Sequence, residues 1–155
     1  MPRLRFGRLG SLALALPLLV SAPAHAQTAA AKSLYDRIGG APALKAVVDD
    51  FVATAAPDPK VDFTRGGTWI ASQAAVLTLK GHLVDFMAQA MGGPKAYTGR
   101  SMKLAHTGMG ITQAQFDALA GHLQAALVKN KVAPADVTAI MKIAASTAPD
   151  IVEKP

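Results

Sequence analysis

The 155-residue sequence has no cysteine, and this absence narrows the chemistry that the chain can support. Disulfide bonds, thiolate metal sites, iron–sulfur clusters and cysteine nucleophiles are all excluded. Any metal must therefore be bound by His, Asp, Glu or Met side chains. Packing, a ligand or both must supply the stability that disulfides supply in many exported proteins.

The chain also has little of what nucleic-acid binding requires. Aromatic residues make up 5% of the sequence, and the basic residues form no continuous run. The formal net charge is +6, but three of the 16 basic residues are arginines within residues 1–26, a segment without Asp or Glu. Without that segment, 13 basic and 10 acidic residues remain, a net charge of +3. We therefore predict no nucleic-acid partner.

Residues 1–26 have the pattern of a secretory signal. The three arginines precede an apolar run, and an Ala-His-Ala triplet at positions 24–26 fits the small-x-small rule of signal peptidase. The run of about ten residues is too short for a stable membrane anchor. We predict a cleaved signal over 1–26, a single domain over 27–155 with no membrane span after cleavage, and export to the periplasm.

The rest of the sequence has helical periodicity, with no strand-like alternation beyond three or four residues. Thr112 and Gln115 form a capping box that begins a helix. The predicted fold class is therefore all-α. Beyond a short opening turn at 33–38 and a short helical piece that carries His106, the predicted helices span 41–56, 73–91, 112–130 and 134–148.

Three histidines remain after the predicted cleavage: His82, His106 and His122. The simplest interpretation of His122 is a packed or capping residue. His106 follows Met102 by one helical turn, and Arg100 and Lys103 lie close to it in sequence. An apolar surface, cations and an imidazole suit a haem, with its apolar ring, anionic propionates and iron. The residues alone leave a structural histidine and a haem ligand both open.

Several motifs occur in an order and at spacings that resemble a known family. They are "LYDRIGG", "VVDDF", "MGGP" and "YTGRSMKLAHTGMGIT" followed by a phenylalanine. From Ser33 to Ile151 the chain resembles the group I truncated haemoglobins. The resemblance implies a two-over-two globin sandwich, with helices B and E packed on G and H. It also implies a non-covalently bound haem b, a diatomic gas ligand (oxygen, nitric oxide or carbon monoxide) and His106 as the proximal iron ligand.

The same resemblance implies a set of cofactor-binding residues. The set comprises pocket aromatics, apolar distal residues and the segment that reaches the propionates. Its members are Phe51, Val52, Phe63, Leu79, Leu83, Phe86, Tyr97, Arg100, Met102, Lys103 and Phe116.

The distal residues depart from the family pattern. Many members have a tyrosine directly after the helix-B phenylalanine, where this chain has Val52. Many also have a glutamine on helix E, where this chain has Leu83, and Leu79 at the gate position is apolar too. Without these donors a bound oxygen loses hydrogen bonds, each worth roughly 1–3 kcal/mol. We predict fast oxygen loss and fast autoxidation.

His82 has three open interpretations. Some cyanobacterial members carry, at this distance before the glycine pair, a histidine that ligates the iron from the distal side. Other members place a lysine here that binds a propionate, and His82 could share that role. Exposure to solvent is the third interpretation, and distal ligation is favoured over the other two.

The loop before helix E is about eight residues longer than the compact family pattern and contains "RGGTWIASQAA". The insertion leaves the role of Phe63 as the haem-stacking phenylalanine open. Trp69 either covers the mouth of the pocket or is buried under the loop, and burial is favoured.

Gas binding is the leading functional interpretation. Electron transfer through a bis-histidyl haem and nitric-oxide dioxygenation are alternatives. Both need an external reductase, because the sequence has no flavin or nicotinamide motif. A helical interaction protein without haem is the remaining alternative, and it would leave the pocket-like spacing unexplained.

Overall fold

A computed structural model describes residues 31–65, 67, 69–93 and 97–154. Within these ranges the chain is helical, which agrees with the predicted all-α class, and its strand-like pairing is an isolated parallel bridge between Thr112 and Lys154. The helices are α1 (Leu34–Arg37), α2 (Gly40–Ala55), α3 (Gln73–Ala90), α4 (Met102–His106), α5 (Gln113–Lys129), α6 (Pro134–Ala145) and α7 (Ala148–Ile151).

The predicted signal over residues 1–26 lies outside the described residues, so its cleavage stays a prediction. In the part of the chain that the structure describes, no helix is both long enough and apolar enough to cross a membrane.

Helix α2 forms the centre of the core. It begins after Gly39, whose φ of 104° is accessible at little cost only to a residue without a side chain. Its apolar stripe, formed by residues three or four positions apart, is buried, and Leu44, Val47 and Val48 are fully inaccessible to solvent. Since this stripe faces both neighbours, α2 packs against α3 on one side and α5 on the other.

Helices α3 and α5, which pack against α2, begin at side-chain caps. The hydroxyl of Ser72 accepts the Ala75 N–H at 3.2 Å and begins α3. The predicted capping box is confirmed, because the Thr112 hydroxyl accepts the Gln115 N–H at 3.2 Å and the Gln115 amide oxygen accepts the Thr112 N–H at 2.9 Å. Helix α5 then packs against α6 as well as α2.

The last predicted helix, over 134–148, is confirmed as α6, but it ends three residues earlier than predicted. The structure ends α6 at Ala145 and begins the short α7 at Ala148. The Ser146 hydroxyl donates to the Ile143 carbonyl at 2.6 Å, so a side chain satisfies one backbone carbonyl of the last turn. Pro149 has no N–H to continue the helical hydrogen bonds.

His122 contacts the loop that follows α2. Its Nε2 lies 2.8 Å from a carboxylate oxygen of Asp58. The hydrogen bond from His122 is the main cause that lowers the pKa of Asp58, and the Lys60 N–H, which donates to the same side chain at 2.9 Å, adds to it. The pair therefore ties the loop at residues 58–60 to α5.

We expect Asp58→Asn to lower Tm by a few degrees at about pH 7, because the amide replaces the charged acceptor of this pair. A carboxyl with a lowered pKa in the folded protein stabilises above its usual pKa, and this contribution is lost as the pH falls through the lowered value. The difference in Tm should therefore shrink at about pH 2. Calorimetry measures both values. An equal effect of Asp58→Asn in a His122→Gln background would contradict the assignment.

Candidate functional site

Two adjoining cavities lie beside the core, one of about 550 Å³ and one of about 500 Å³, here called the larger and the smaller lobe. Their walls are mainly hydrophobic and come from helices α2 to α7 and the loops between them. The lobes share Phe51, His82, His106 and Phe116 among their lining residues. A large flat apolar ligand could therefore extend through both.

His106 is the last residue of α4 and lines both lobes. Helix α4 begins where the Ser101 hydroxyl accepts the Leu104 N–H at 3.3 Å. The Nδ1 atom of His106 lies 2.7 Å from the carbonyl oxygen of Met102. Because a carbonyl oxygen only accepts hydrogen bonds, Nδ1 carries the proton and Nε2 keeps its lone pair. The ring is thus held in the tautomer that binds a metal through Nε2.

The turn after His106 is bound by the C-terminal segment, residues 152–154, which follows α7. Gly108 and Gly110 have φ values of +81° and +64°, and their N–H groups donate to the two carboxylate oxygens of Glu153 at 2.6 and 2.5 Å. These two backbone hydrogen bonds lower the pKa of Glu153, with smaller Coulombic contributions from Lys154 and His106.

Helix α3 provides another wall. Leu79, Leu83 and Phe86 line the larger lobe together with His82, whose side chain is otherwise exposed. The His82 ring meets Tyr97 edge to face, with the two ring centroids 6.1 Å apart. Phe86 meets the same tyrosine in a similar arrangement at 5.6 Å.

The segment 97–100 lies along the edge of the larger lobe. The Tyr97 N–H donates to the side-chain oxygen of Gln89 at 2.5 Å, and the Tyr97 hydroxyl donates to the carbonyl of Arg100 at 3.0 Å. Arg100 lines both lobes and brings a guanidinium to a mainly hydrophobic wall.

The structure brings most of the predicted site residues together. Those that line a lobe are Phe51, Phe63, Leu79, His82, Leu83, Phe86, Tyr97, Arg100, Met102, His106 and Phe116. Val52 and Lys103 are not among the lining residues. Val52 is 3% exposed and belongs to the core, because Phe51 faces the cavity and adjacent helix positions point about 100° apart. The side chain of Lys103 is exposed.

Trp69 differs from the sequence-based expectation. Burial under the inserted loop was favoured, but the structure places Trp69 half-buried on the wall of the smaller lobe, with its ring centroid 6.3 Å from that of Phe63. The insertion therefore forms part of the cavity. Arg65, which has a φ of +53° and lines both lobes, belongs to the same loop.

Arg65 and the wall formed by α6 and α7 belong to the site but were not predicted from the sequence. No periodic signal marks Arg65, since it lies in an irregular loop. Ile140, Ile143, Thr147 and Ile151 line the larger lobe, and their spacing of three or four residues is the signal that could have identified this wall.

Comparisons with known proteins agree on one family. Residues 33–153 match the family model described as Bacterial-like globin. The chain is 41% identical over 119 residues to a group 1 truncated hemoglobin GlbN of Mycolicibacterium paratuberculosis, covering 77% of this chain and 83% of that protein. A group 1 truncated hemoglobin GlbN of a Nostoc species is 38% identical over 109 residues, covering 70% and 87%.

Solved structures give the same result. The truncated hemoglobin from Tetrahymena pyriformis in its Fe(III) form has a TM-score of 0.70 and 28% identity, over 79% of this chain and 100% of that one. The 2/2 hemoglobin from a Synechococcus species, solved in the cyanomet state with covalently attached heme, has a TM-score of 0.68 and 29% identity over the same shares.

Proposed function

Because this chain belongs to the bacterial-like globins and among them to the group 1 truncated hemoglobins, which hold haem and bind diatomic gases, we propose that His106 is its proximal iron ligand. The observation that carries this proposal is the 2.7 Å contact between His106 Nδ1 and the Met102 carbonyl. This contact leaves Nε2 as the metal-binding atom on the wall of both lobes.

The residues of the site fit an iron porphyrin. An apolar cavity accepts the macrocycle, the imidazole is a suitable axial donor, and a guanidinium at the edge suits a propionate. When bound, the haem supplies an iron that takes a diatomic gas. We propose haem b, held without a Cys-x-x-Cys-His bond because the chain has no cysteine. Arg100 is the proposed propionate partner, and we assign no cofactor contact to the exposed Lys103.

The distal wall supports rapid gas exchange. Leu79 and Leu83 face the larger lobe from α3 and offer no hydrogen-bond donor to a gas ligand. Val52, at the position where many members have a tyrosine, lies in the core. With His82 moved aside to the exposed edge of the cavity, these apolar side chains leave a bound oxygen weakly held, so we propose that the protein loses oxygen quickly and autoxidises readily.

His82 is the proposed sixth ligand when no gas is bound. It lines both lobes, lies on the same helix as Leu79 and Leu83, and has an imidazole within reach of the cavity. Its contact with Tyr97 places the ring at the cavity edge. A ligand held on an exposed edge can move aside for a gas without repacking the buried core.

We expect the reduced, haem-loaded protein to show low-spin six-coordinate visible bands, and His82→Ala to show five-coordinate bands. The reason is that alanine removes the imidazole proposed for the sixth position while leaving His106 in place. His122→Ala is the matched control, because His122 contacts Asp58 and neither residue lines the cavity. A wild-type spectrum that is already five-coordinate would exclude distal ligation by His82.

The same position of His82 favours a second candidate function, electron transfer through a six-coordinate haem. This function and nitric-oxide dioxygenation each need an external reductase as partner. Nitrate formed from nitric oxide over many turnovers, with a reductant present, would favour dioxygenation. Electron exchange without nitrate would favour transfer.

A further inference from the structure

The C-terminal segment is joined to the strand-like stretch that follows the His106 turn. After α7, the N–H groups of Glu153 and Lys154 donate to the carbonyl of Ile111 at 2.8 and 3.1 Å. The Lys154 carbonyl in turn accepts the Gln113 N–H at 3.2 Å. These backbone contacts hold the segment in place without any contribution from the Glu153 side chain.

The Glu153 carboxylate adds a second, different attachment. It accepts the Gly108 and Gly110 N–H groups on its two separate oxygens, at 2.6 and 2.5 Å. The positive φ values of both glycines turn these N–H groups towards one anion. A Cβ at Gly110 would lie 3.1 Å from Nζ of Lys154, so the end of the Lys154 side chain also lies against this turn.

Helix α4 needs such support at its C-terminal end. It has only five residues, too few to be stable alone, and His106 is the last of them. Its first turn is held by the Ser101 cap, and at its end the Thr107 hydroxyl donates to the Lys103 carbonyl at 2.6 Å before the chain leaves the helix with a ψ of 130°. The direction of the His106 ring therefore depends on the turn that follows as well as on the 2.7 Å contact of Nδ1 with the Met102 carbonyl.

We propose that Glu153 is a positioning residue for the proximal histidine: its carboxylate holds the Gly108–Gly110 turn and so directs His106 Nε2 into the cavity. The proposal rests on the proposed role of His106 as iron ligand. It predicts that the strength and uniformity of the iron–histidine bond depend on a carboxylate 47 residues further along the chain.

A substitution series separates positioning from simple support of the fold. Glu153→Gln keeps the shape but replaces one acceptor oxygen with an NH₂ donor, which cannot pair with a backbone N–H. Glu153→Asp keeps both acceptors on a shorter side chain. Asp150→Asn is the matched control. This substitution also removes one negative charge near the C-terminus, at an exposed position on α7.

The measurement is the iron–histidine stretching band in resonance Raman spectra of the reduced protein, in a His82→Ala background that keeps the iron five-coordinate. Haem transfer to an apoglobin acceptor is measured in parallel, and calorimetry reports the stability of each variant. We expect Glu153→Gln to shift or broaden the band and to speed haem loss by about three- to tenfold. Glu153→Asp should recover part of both effects, and Asp150→Asn should match its parent.

An unchanged band and unchanged haem loss in Glu153→Gln would overturn the positioning role while leaving His106 as the ligand. Equal changes in Glu153→Gln and Asp150→Asn would overturn it too, because the effect would then follow charge rather than the two glycine contacts. Absence of an iron–histidine band in the parent, or its persistence after His106→Gly, would overturn the assignment of His106 itself.

Discussion

His106→Gly should weaken haem binding by more than about 100-fold, and free imidazole should restore the proximal-imidazole bands of the spectrum. Loss of a residue that only orients a metal ligand typically costs 10–100-fold in metal affinity, so loss of the ligand should cost more. Glycine has no side chain, so it leaves the space of the imidazole open to exogenous imidazole. This space lies at the end of α4, where His106 is the last residue. Haem titration followed by visible spectroscopy, with and without imidazole, measures both effects.

The matched control for this experiment is His122→Gln. It also removes an imidazole, but one whose Nε2 contacts Asp58 at 2.8 Å and which lines neither lobe. Haem affinity should stay at the wild-type value in this variant. Tight haem binding and unchanged proximal bands in His106→Gly without imidazole would overturn the assignment of the proximal ligand.

Leu83→Gln should slow oxygen dissociation by about 10- to 100-fold. The wild-type leucine lines both lobes from α3 and offers no donor, whereas a glutamine there can donate to the bound gas. A hydrogen bond to a strongly polarised acceptor contributes about 1.5–3 kcal/mol, and each 1.4 kcal/mol is a factor of about ten. Autoxidation should slow in the same variant, because the oxygen ligand is held more firmly.

Stopped-flow displacement of oxygen by carbon monoxide gives the dissociation rate directly. Leu83→Met is the matched control, because methionine has a similar volume and supplies no hydrogen-bond donor. Its dissociation rate should stay close to the wild-type rate. Oxygen release at the wild-type rate in Leu83→Gln, or equally slow release in Leu83→Met, would show that a missing donor at this position does not determine oxygen retention.

The helices could be predicted from the sequence because their signals are local. The apolar stripe of α2, the capping box of α5 and the length of α3 each depend on residues only three or four positions apart. The likeness to the truncated hemoglobin structures confirms the two-over-two globin fold expected from the resemblance. The end of α6 was predicted less closely, since the sequence extends the last helix to residue 148 and the structure ends α6 at Ala145.

The site was predictable where helical position alone brings a residue to the cavity. Leu79, Leu83 and Phe86 follow from the spacing on α3, and all three line the larger lobe. The burial of Val52 in the core could not be predicted in this way. The resemblance gives the place of Val52 in the chain but not the side of α2 that faces the cavity.

Contacts between residues far apart in the chain could not be predicted from the sequence. The carboxylate of Glu153 lies 45 and 43 residues from the glycines that it holds, so no local pattern relates them. Arg65 and Trp69 lie in an irregular loop, where no periodicity indicates which side chains face inward. These residues become visible only when the tertiary fold brings the C-terminal segment and the insertion to the walls of the site.

A crystal structure of the haem-loaded protein would show directly whether His106 binds the iron. We expect the porphyrin to lie among the residues shared by the two lobes, with its iron bonded to Nε2 of His106 and with Nδ1 still donating to the Met102 carbonyl. Iron bonded to a different proximal residue, or haem bound outside these lobes, would contradict it.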